Sequence, residues 1–132
     1  MSKEYAKINS LNEVVNLYIV EDSFTQKEVE DLFGGVDLFI YRETNDLIRE
    51  RPATIGGTYD QGNDAFINEQ PFSSWTLNSS RDWEAPVTKP TLEQSGGRAV
   101  YWIEDNLQWK GMEIVGDNQV FSTWDPDTLT WL

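Results

Sequence analysis

Residues 55–86 read IGGTYDQGNDAFINEQPFSSWTLNSSRDWEAP. Helical periodicity is absent here, and aromatic residues stand on either side of segments rich in turn formers. Residues that face each other in a β-hairpin lie on one side of the sheet, where aromatic side chains contact each other. The spacing therefore predicts cross-strand aromatic pairs. Four such brackets occur along the chain: Tyr59 with Phe66, Trp75 with Trp83, Trp102 with Trp109, and Trp124 with Trp131.

The chain before residue 55 has a different pattern. Two apolar, β-prone runs lie on either side of a turn-rich segment and predict a hairpin. A capping box, T-x-x-E, then predicts one helix, for which a Gly-Gly pair provides the end. A further run of high β propensity predicts a third strand. In order, these features are Tyr5–Ile8, Val14–Val20, the helix that follows Thr25 and ends at Gly34-Gly35, and Val36–Tyr41.

Residues 42–54 carry mixed charge and few apolar side chains. They form either a short helix that ends before Pro52 or an exposed loop, and we favour a linker. We therefore predict two domains, a small ββαβ domain with a charged linker over residues 1–54 and a Trp-rich β-hairpin domain over residues 55–132. The predicted fold class is α+β, mainly antiparallel β, with an N-terminal ββαβ unit followed by Trp-bracketed β-hairpins.

The last third of the chain adds two more strands. Met112–Val115 and Gln119–Ser122 lie around Gly116-Asp117-Asn118, a turn of the hairpin type. Glu93–Gly97, which reads EQSGG, is predicted to be a flexible turn.

Composition restricts the chemistry of the chain. The 132 residues include neither cysteine nor histidine, which excludes disulfides, thiolate catalysis, His-based zinc sites and a Ser-His-Asp triad. The formal charge of −13 is spread along the sequence, so we expect no binding of nucleic acid through its phosphates. An acidic surface suits basic protein surfaces or mimicry of DNA, or it only keeps a Trp-rich chain soluble. We expect no membrane span and no signal peptide, and hence synthesis in the cytoplasm.

No pattern in the chain identifies a catalytic or metal site. Acidic residues in turns are usually solvated turn formers, so we assign neither a glycosidase pair nor a cofactor. Asp125-Pro126-Asp127 lacks the full acidic loop pattern of a calcium site. The six tryptophans have two interpretations: packing in a small sheet, or exposed anchors that stack on sugars or form an interface with another protein.

The signature YD…ND-x-F…QP-F-x-SW-x-L…W-x-APV carries a resemblance. It runs through Tyr59-Asp60, Asn63-Asp64-x-Phe66, Gln70-Pro71-Phe72-x-Ser74-Trp75, Leu77-Asn78 and Trp83-Glu84-Ala85-Pro86-Val87. In it the chain resembles a family of small proteins of marine tailed bacteriophages, cyanophages among them. The resemblance implies an accessory role in the virion or its tail, and it implies no catalytic residues.

We therefore expect a non-enzymatic phage accessory protein, associated with tail, fibre or capsid, that docks on other virion proteins through aromatic and acidic surfaces. Self-association into a homo-oligomer within a symmetric assembly is a further option. Two alternatives are an assembly factor for tail or tail fibre that is absent from the virion, and an acidic inhibitor that mimics nucleic acid on a host protein. The candidate partner-binding residues are Trp124, Asp125, Asp127 and Trp131, the preferred docking element, together with Trp75 and Trp83.

Overall fold

The computed structural model describes residues 1–132, which divide into two units, residues 1–70 and residues 71–132. Strand exceeds helix in the chain, and every strand pairing is antiparallel. The prediction of a mainly antiparallel β fold with little helix is therefore confirmed.

The first unit is built on a three-stranded sheet. Strands β1 (Ser2–Ile8) and β2 (Val14–Glu21) form the predicted hairpin, and β3 (Ile40–Thr44) pairs with the other edge of β1. The third strand begins later than predicted. The carbonyl of Gly35 accepts hydrogen bonds from the backbone N–H groups of Leu38 and Phe39, so the chain turns there before it can extend.

Helix α1 (Gln26–Phe33) covers one face of this sheet. Its capping box is present as predicted: the Thr25 side chain accepts from the Glu28 backbone, and the Glu28 side chain accepts from the Thr25 backbone. The helix ends at Gly34, whose φ of +69° suits glycine. Between helix and sheet lies a core of Tyr5, Val20, Val29 and Tyr41, with Tyr18, Phe24, Phe33 and Phe39 packed around it.

A second hairpin packs with the opposite face of the sheet. Strands β4 (Thr58–Asp60) and β5 (Ala65–Ile67) place Tyr59 directly opposite Phe66, with ring centroids 5.2 Å apart, which confirms that bracket. Both rings are buried in a core with Ala6, Ile8, Val14 and Ala53. The division after Gln70 differs from the predicted boundary at residues 54 and 55, because this hairpin completes the core of the first unit.

The predicted charged linker is also part of the first unit. Arg42–Thr44 belongs to β3, and Ala53 is buried, with its N–H donating to Thr44 Oγ1 at 2.7 Å. Arg49 reaches Asp64 across the loop, with 2.8 Å between Nε and Oδ1. Charged residues of this segment therefore form ion pairs within the first unit as well as contacts with water.

The second unit begins with a short ladder, β6 (Thr76–Leu77) and β7 (Trp83–Glu84), and a one-turn helix, α2 (Leu92–Ser95). A four-stranded sheet follows, in the order β11-β10-β9-β8. Its strands are β8 (Ala99–Ile103), β9 (Gln108–Val115), β10 (Asn118–Asp125) and β11 (Thr130–Trp131), with a 3₁₀ turn at Glu104–Asn106 between β8 and β9.

Two local predictions in this unit have opposite outcomes. The hairpin around Gly116 and Asp117 is confirmed, with Val115 opposite Asn118 and a φ of +64° at Gly116. The flexible turn over Glu93–Gly97 is wrong: Thr91 and Gln94 form a second capping box that starts α2, and Gly96 ends the helix in the left-handed conformation.

Candidate functional site

A cluster of tryptophans forms the core of the second unit. Trp102, Trp109 and Trp124 are buried, and Trp75 and Trp131 pack around them. Trp102 lies opposite Trp109, and Trp124 lies opposite Trp131; the ring centroids of each pair are 5.1 Å apart. These two brackets are confirmed.

The bracket of Trp75 and Trp83 is wrong in register. Trp83 pairs with Leu77, and Trp75 lies before the start of β6. The ring of Trp75 packs on the core cluster, with its centroid 6.1 Å from that of Trp102 and 6.0 Å from that of Trp109. Trp75 and Trp83 do line one groove of about 310 Å³, together with Val87, Lys89 and Trp109 among others.

The predicted docking element at Trp124 and Trp131 is instead a structural part of the unit. Trp124 is only 4% exposed. The indole N–H of Trp131 donates to the carbonyl of Gln94 at 2.8 Å, and its ring lies over Gly111, where a Cβ would come within 2.9 Å of it. Burial leaves Trp124 no face for a partner, so we do not retain this bracket as the docking element.

The acidic residues between these tryptophans have different surroundings. Asp125 accepts from the backbone N–H of Asp127 at 3.0 Å and from the hydroxyl of Thr128 at 2.9 Å. These bonds, that of Thr128 first, lower the pKa of the Asp125 carboxyl, and they identify Asp125 as a turn-forming residue. Asp127 is exposed at the tip of the turn.

The carboxylate of Glu104 accepts several hydrogen bonds within the second unit, a role that the sequence analysis did not predict. Its carboxylate accepts from the Ser73 hydroxyl, the Ser74 N–H, the Ser74 hydroxyl and the Trp102 indole at 2.6 to 2.9 Å. These donors, Ser74 first and then Trp102, lower the pKa of Glu104 to about 2. Glu104 thereby joins the Ser73-Ser74 segment of the signature to the turn between β8 and β9.

The opposite side of the four-stranded sheet carries exposed apolar side chains beside the polar side chains of Gln108, Lys110, Gln119 and Thr123. Side chains alternate along a strand, so neighbours of the buried tryptophans point away from the core. The register places Ala99, Met112 and Phe121 side by side on this surface, next to Tyr101 and Ile114. Ile114 is 61% exposed, Phe121 58% and Tyr101 36%. We call this surface the outer face, defined by Ala99, Tyr101, Met112, Ile114 and Phe121.

Charges surround the outer face unevenly. Its one cation, Lys110, donates to Thr123 Oγ1 at 2.9 Å, and both side chains lie among the apolar ones. Asp105 and Asp117 are exposed in the turns at the two ends of β9. Arg98, which precedes β8, has its guanidinium 3.7 Å from Glu113 and over the ring of Trp131. The free charges at the ends of the outer face are therefore acidic.

Comparisons of the chain with models of protein families, with curated proteins and with solved structures found no match. Neither helix is long and apolar enough to cross a membrane. No group of three or more acidic residues converges in a way that would hold a metal ion.

Proposed function

We propose that the chain is a non-enzymatic accessory protein of a phage virion, associated with its tail, fibre or capsid, that docks on other virion proteins. The signature over residues 59–87 supports the phage assignment, and the outer face supports the docking role. In this proposal the N-terminal ββαβ unit and the Trp-bracketed hairpins are the scaffold, and the protein is made in the host cytoplasm and carried in the virion. It needs no cofactor, nucleic acid or membrane.

The outer face is the observation that carries the docking role. One face of an antiparallel sheet commonly faces water, and that face is then usually polar. Here apolar side chains occupy several of those positions on three adjacent strands, including Ile114 and Phe121, which are more than half exposed. Fully burying a side chain of this size contributes roughly 1.5–3 kcal/mol, and a little over half of that remains available where a partner covers Ile114 or Phe121. A partner that covers the outer face therefore gains considerable free energy.

The charge of the chain indicates the chemistry of this partner. Protein interfaces combine an apolar centre with a polar rim, and complementary charges at the rim increase the rate of association. Asp105 and Asp117 lie at the ends of the outer face, and the chain has a formal charge of −13. The partner is thus a virion protein with an apolar centre surrounded by Lys and Arg.

The test compares occupancy in purified particles for the wild type and a double variant, Ile114→Gln with Phe121→Gln, by quantitative mass spectrometry. The matched control is Leu47→Gln with Leu92→Gln, two almost fully exposed leucines that are not part of the outer face. We expect the control to keep wild-type occupancy. Since a little over half of each side chain remains to be covered, the outer-face variant loses about 2 kcal/mol or more of burial, and hence at least about thirtyfold in affinity.

Three outcomes contradict the proposal in different ways. Equal occupancy of both variants would remove the outer face as the docking surface. Absence of the wild-type chain from particles, combined with defective tails when it is deleted, would favour the assembly factor. Absence from particles, combined with a host partner from which DNA displaces the chain, would favour the acidic inhibitor.

A further inference from the structure

The sheet of the second unit has one long, unprotected edge. Strand β8 is an edge strand of five residues, AVYWI, whereas the other edge, β11, has only two. Soluble proteins usually protect such edges with charges, proline or a bulge, because an open edge pairs with other strands. Strand β8 has none of these, and its pairing with β9 is regular.

The register shows which backbone groups this edge presents. Thr123 exchanges hydrogen bonds with Leu132 at 3.1 and 2.8 Å, so its backbone groups point away from β9. In an antiparallel sheet these directions alternate, so the backbone groups of Lys110 point to β8 and bond with Tyr101. The N–H and C=O groups of Val100 and Trp102 therefore point out of the sheet, and no backbone hydrogen bond within the chain uses them.

We propose that two copies of the chain pair antiparallel through β8, with Tyr101 opposite Tyr101 of the second copy. In this register Val100 and Trp102 of each copy exchange hydrogen bonds with Trp102 and Val100 of the other. The result is a two-fold symmetric dimer with one continuous sheet across both second units. The two outer faces then lie side by side, with the Tyr101 rings at the centre. This inference does not depend on the proposed virion function.

The residues at the ends of β8 favour a second copy as the occupant of the edge. Arg98 precedes the strand and Glu104 follows it. Antiparallel pairing centred on Tyr101 places Arg98, which lies 3.7 Å from Glu113 in its own chain, opposite Glu104 of the second copy, so no like charges meet at either end. Between them, residues 99–103 carry no charge, and no like charges face each other across the new ladder.

The total charge acts against the dimer in a way that can be measured. Each copy carries −13, so two copies repel each other at long range. Salt screens this repulsion, because the Debye length falls from about 10 Å at 0.1 M to about 3 Å at 1 M. The dimer is therefore expected to strengthen with salt, which is opposite to the behaviour of an interface held by exposed ion pairs.

The test uses the full chain in sedimentation velocity over a range of protein concentrations at both salt levels. Tyr101→Lys and Tyr101→Glu each place like charges at the two-fold axis, so each variant alone is expected to be monomeric. Their mixture places Lys opposite Glu and is expected to restore the dimer. The control is Phe121→Lys, which adds the same charge to the outer face on β10, away from the edge, and is expected to remain dimeric.

A second variant tests the backbone directly. Val100→Pro removes an N–H that points out of the sheet, so it leaves the bonds to β9 intact and weakens the dimer by at least tenfold in dissociation constant. Val100→Thr, which keeps the N–H, is its control. Cooperative thermal unfolding of each variant checks the fold. A wild-type chain that stays monomeric at high salt would overturn the proposal and leave the edge to a strand of another protein. Failure of the Lys and Glu variants to restore each other would overturn the register.

Discussion

Among single residues, Glu104 links the stability of the second unit to pH. Its folded pKa of about 2 lies below the ordinary 4.5, because Ser74, Trp102 and Ser73 donate hydrogen bonds to the carboxylate. A lowered pKa stabilises the fold above the unfolded value, and that stabilisation is lost as the pH falls through the folded value. We therefore expect the contribution of Glu104 to be complete at neutral pH and to disappear between pH 4.5 and about 2.

Thermal unfolding midpoints of the wild type and Glu104→Gln across this pH range measure the effect. The variant should be less stable than the wild type at pH 7, and the two curves should converge near pH 2. Asp105→Asn, a change at the exposed neighbour in the same turn, is the control and should follow the wild type. A constant difference between wild type and Glu104→Gln at every pH would show that the variant acts through packing and not through ionisation.

The tryptophan pair across β8 and β9 gives a second prediction at this scale. Because the rings of Trp102 and Trp109 are in contact, Trp102→Phe and Trp109→Phe should be non-additive, with a coupling of about 0.5–3 kcal/mol in the free energy of unfolding. Trp102→Phe combined with Phe121→Ala should be additive, because these side chains point to opposite sides of the sheet. If the coupling energy is the same for Trp102→Phe with Trp109→Phe as for Trp102→Phe with Phe121→Ala, the variants loosen the whole unit and the coupling does not report the ring contact.

A comparison of the four predicted aromatic pairs with the observed register shows what sequence spacing can predict. Three of them pair as expected, because a regular antiparallel ladder needs only loop length to set its register. The bracket of Trp75 and Trp83 fails because Asn78 closes a shorter loop. Its side-chain carbonyl accepts from the N–H groups of Ser80 and Asp82, and Arg81 takes a positive φ of +63°. That loop pairs Leu77 with Trp83.

Among the elements, the hairpin of β10 and β11 shows that the solvent exposure of a side chain is difficult to predict from the sequence. The sequence analysis predicts Trp124, Asp125, Asp127 and Trp131 of this hairpin to be the preferred docking element. The structure shows that Trp124 and Trp131 close the core, contacts that depend on segments more than ten residues away, such as Gln94. An apolar outer face could be expected from the sequence, since all five residues of β8 are apolar and those next to Trp102 in the chain must point to the other side of the sheet. The sequence alone does not say which alternate set faces the core.

Truncation after Ser122 is accordingly expected to unfold the second unit. The deleted residues include Trp124 and Trp131, as well as the backbone pairing of Thr123 with Leu132. Loss of a buried tryptophan costs about 3–5 kcal/mol, a large part of the stability of a small unit. The tryptophan fluorescence should shift to the red, and the cooperative transition of this unit should disappear. Asp127→Asn, at the exposed tip of the same hairpin, should change neither. If the truncated chain keeps native fluorescence, the second unit folds without this hairpin, and the hairpin is not part of its core.

At the scale of the whole molecule, each unit contains its own core. The two apolar clusters of the first unit, one under α1 and one under the hairpin of β4 and β5, use only residues from 1–70. The tryptophan cluster uses only residues from 71–132. Units of 60 to 70 residues are small but within the range that folds alone. Residues 1–70 should therefore form a stable fragment.

The shorter fragment of residues 1–54, which the charged segment suggested as a domain, provides the comparison. It lacks Tyr59 and Phe66, so Ile8 and Val14 on the open face of the sheet would be exposed to water. We expect the 1–70 fragment to give dispersed amide resonances and cooperative thermal unfolding, and the 1–54 fragment to give neither. Tyr59→Ala within 1–70 should move that fragment toward the behaviour of 1–54, since it removes half of one aromatic pair from the core. If 1–54 folds as well as 1–70, the hairpin of β4 and β5 is dispensable to the first unit, and the boundary suggested by the sequence is the correct one.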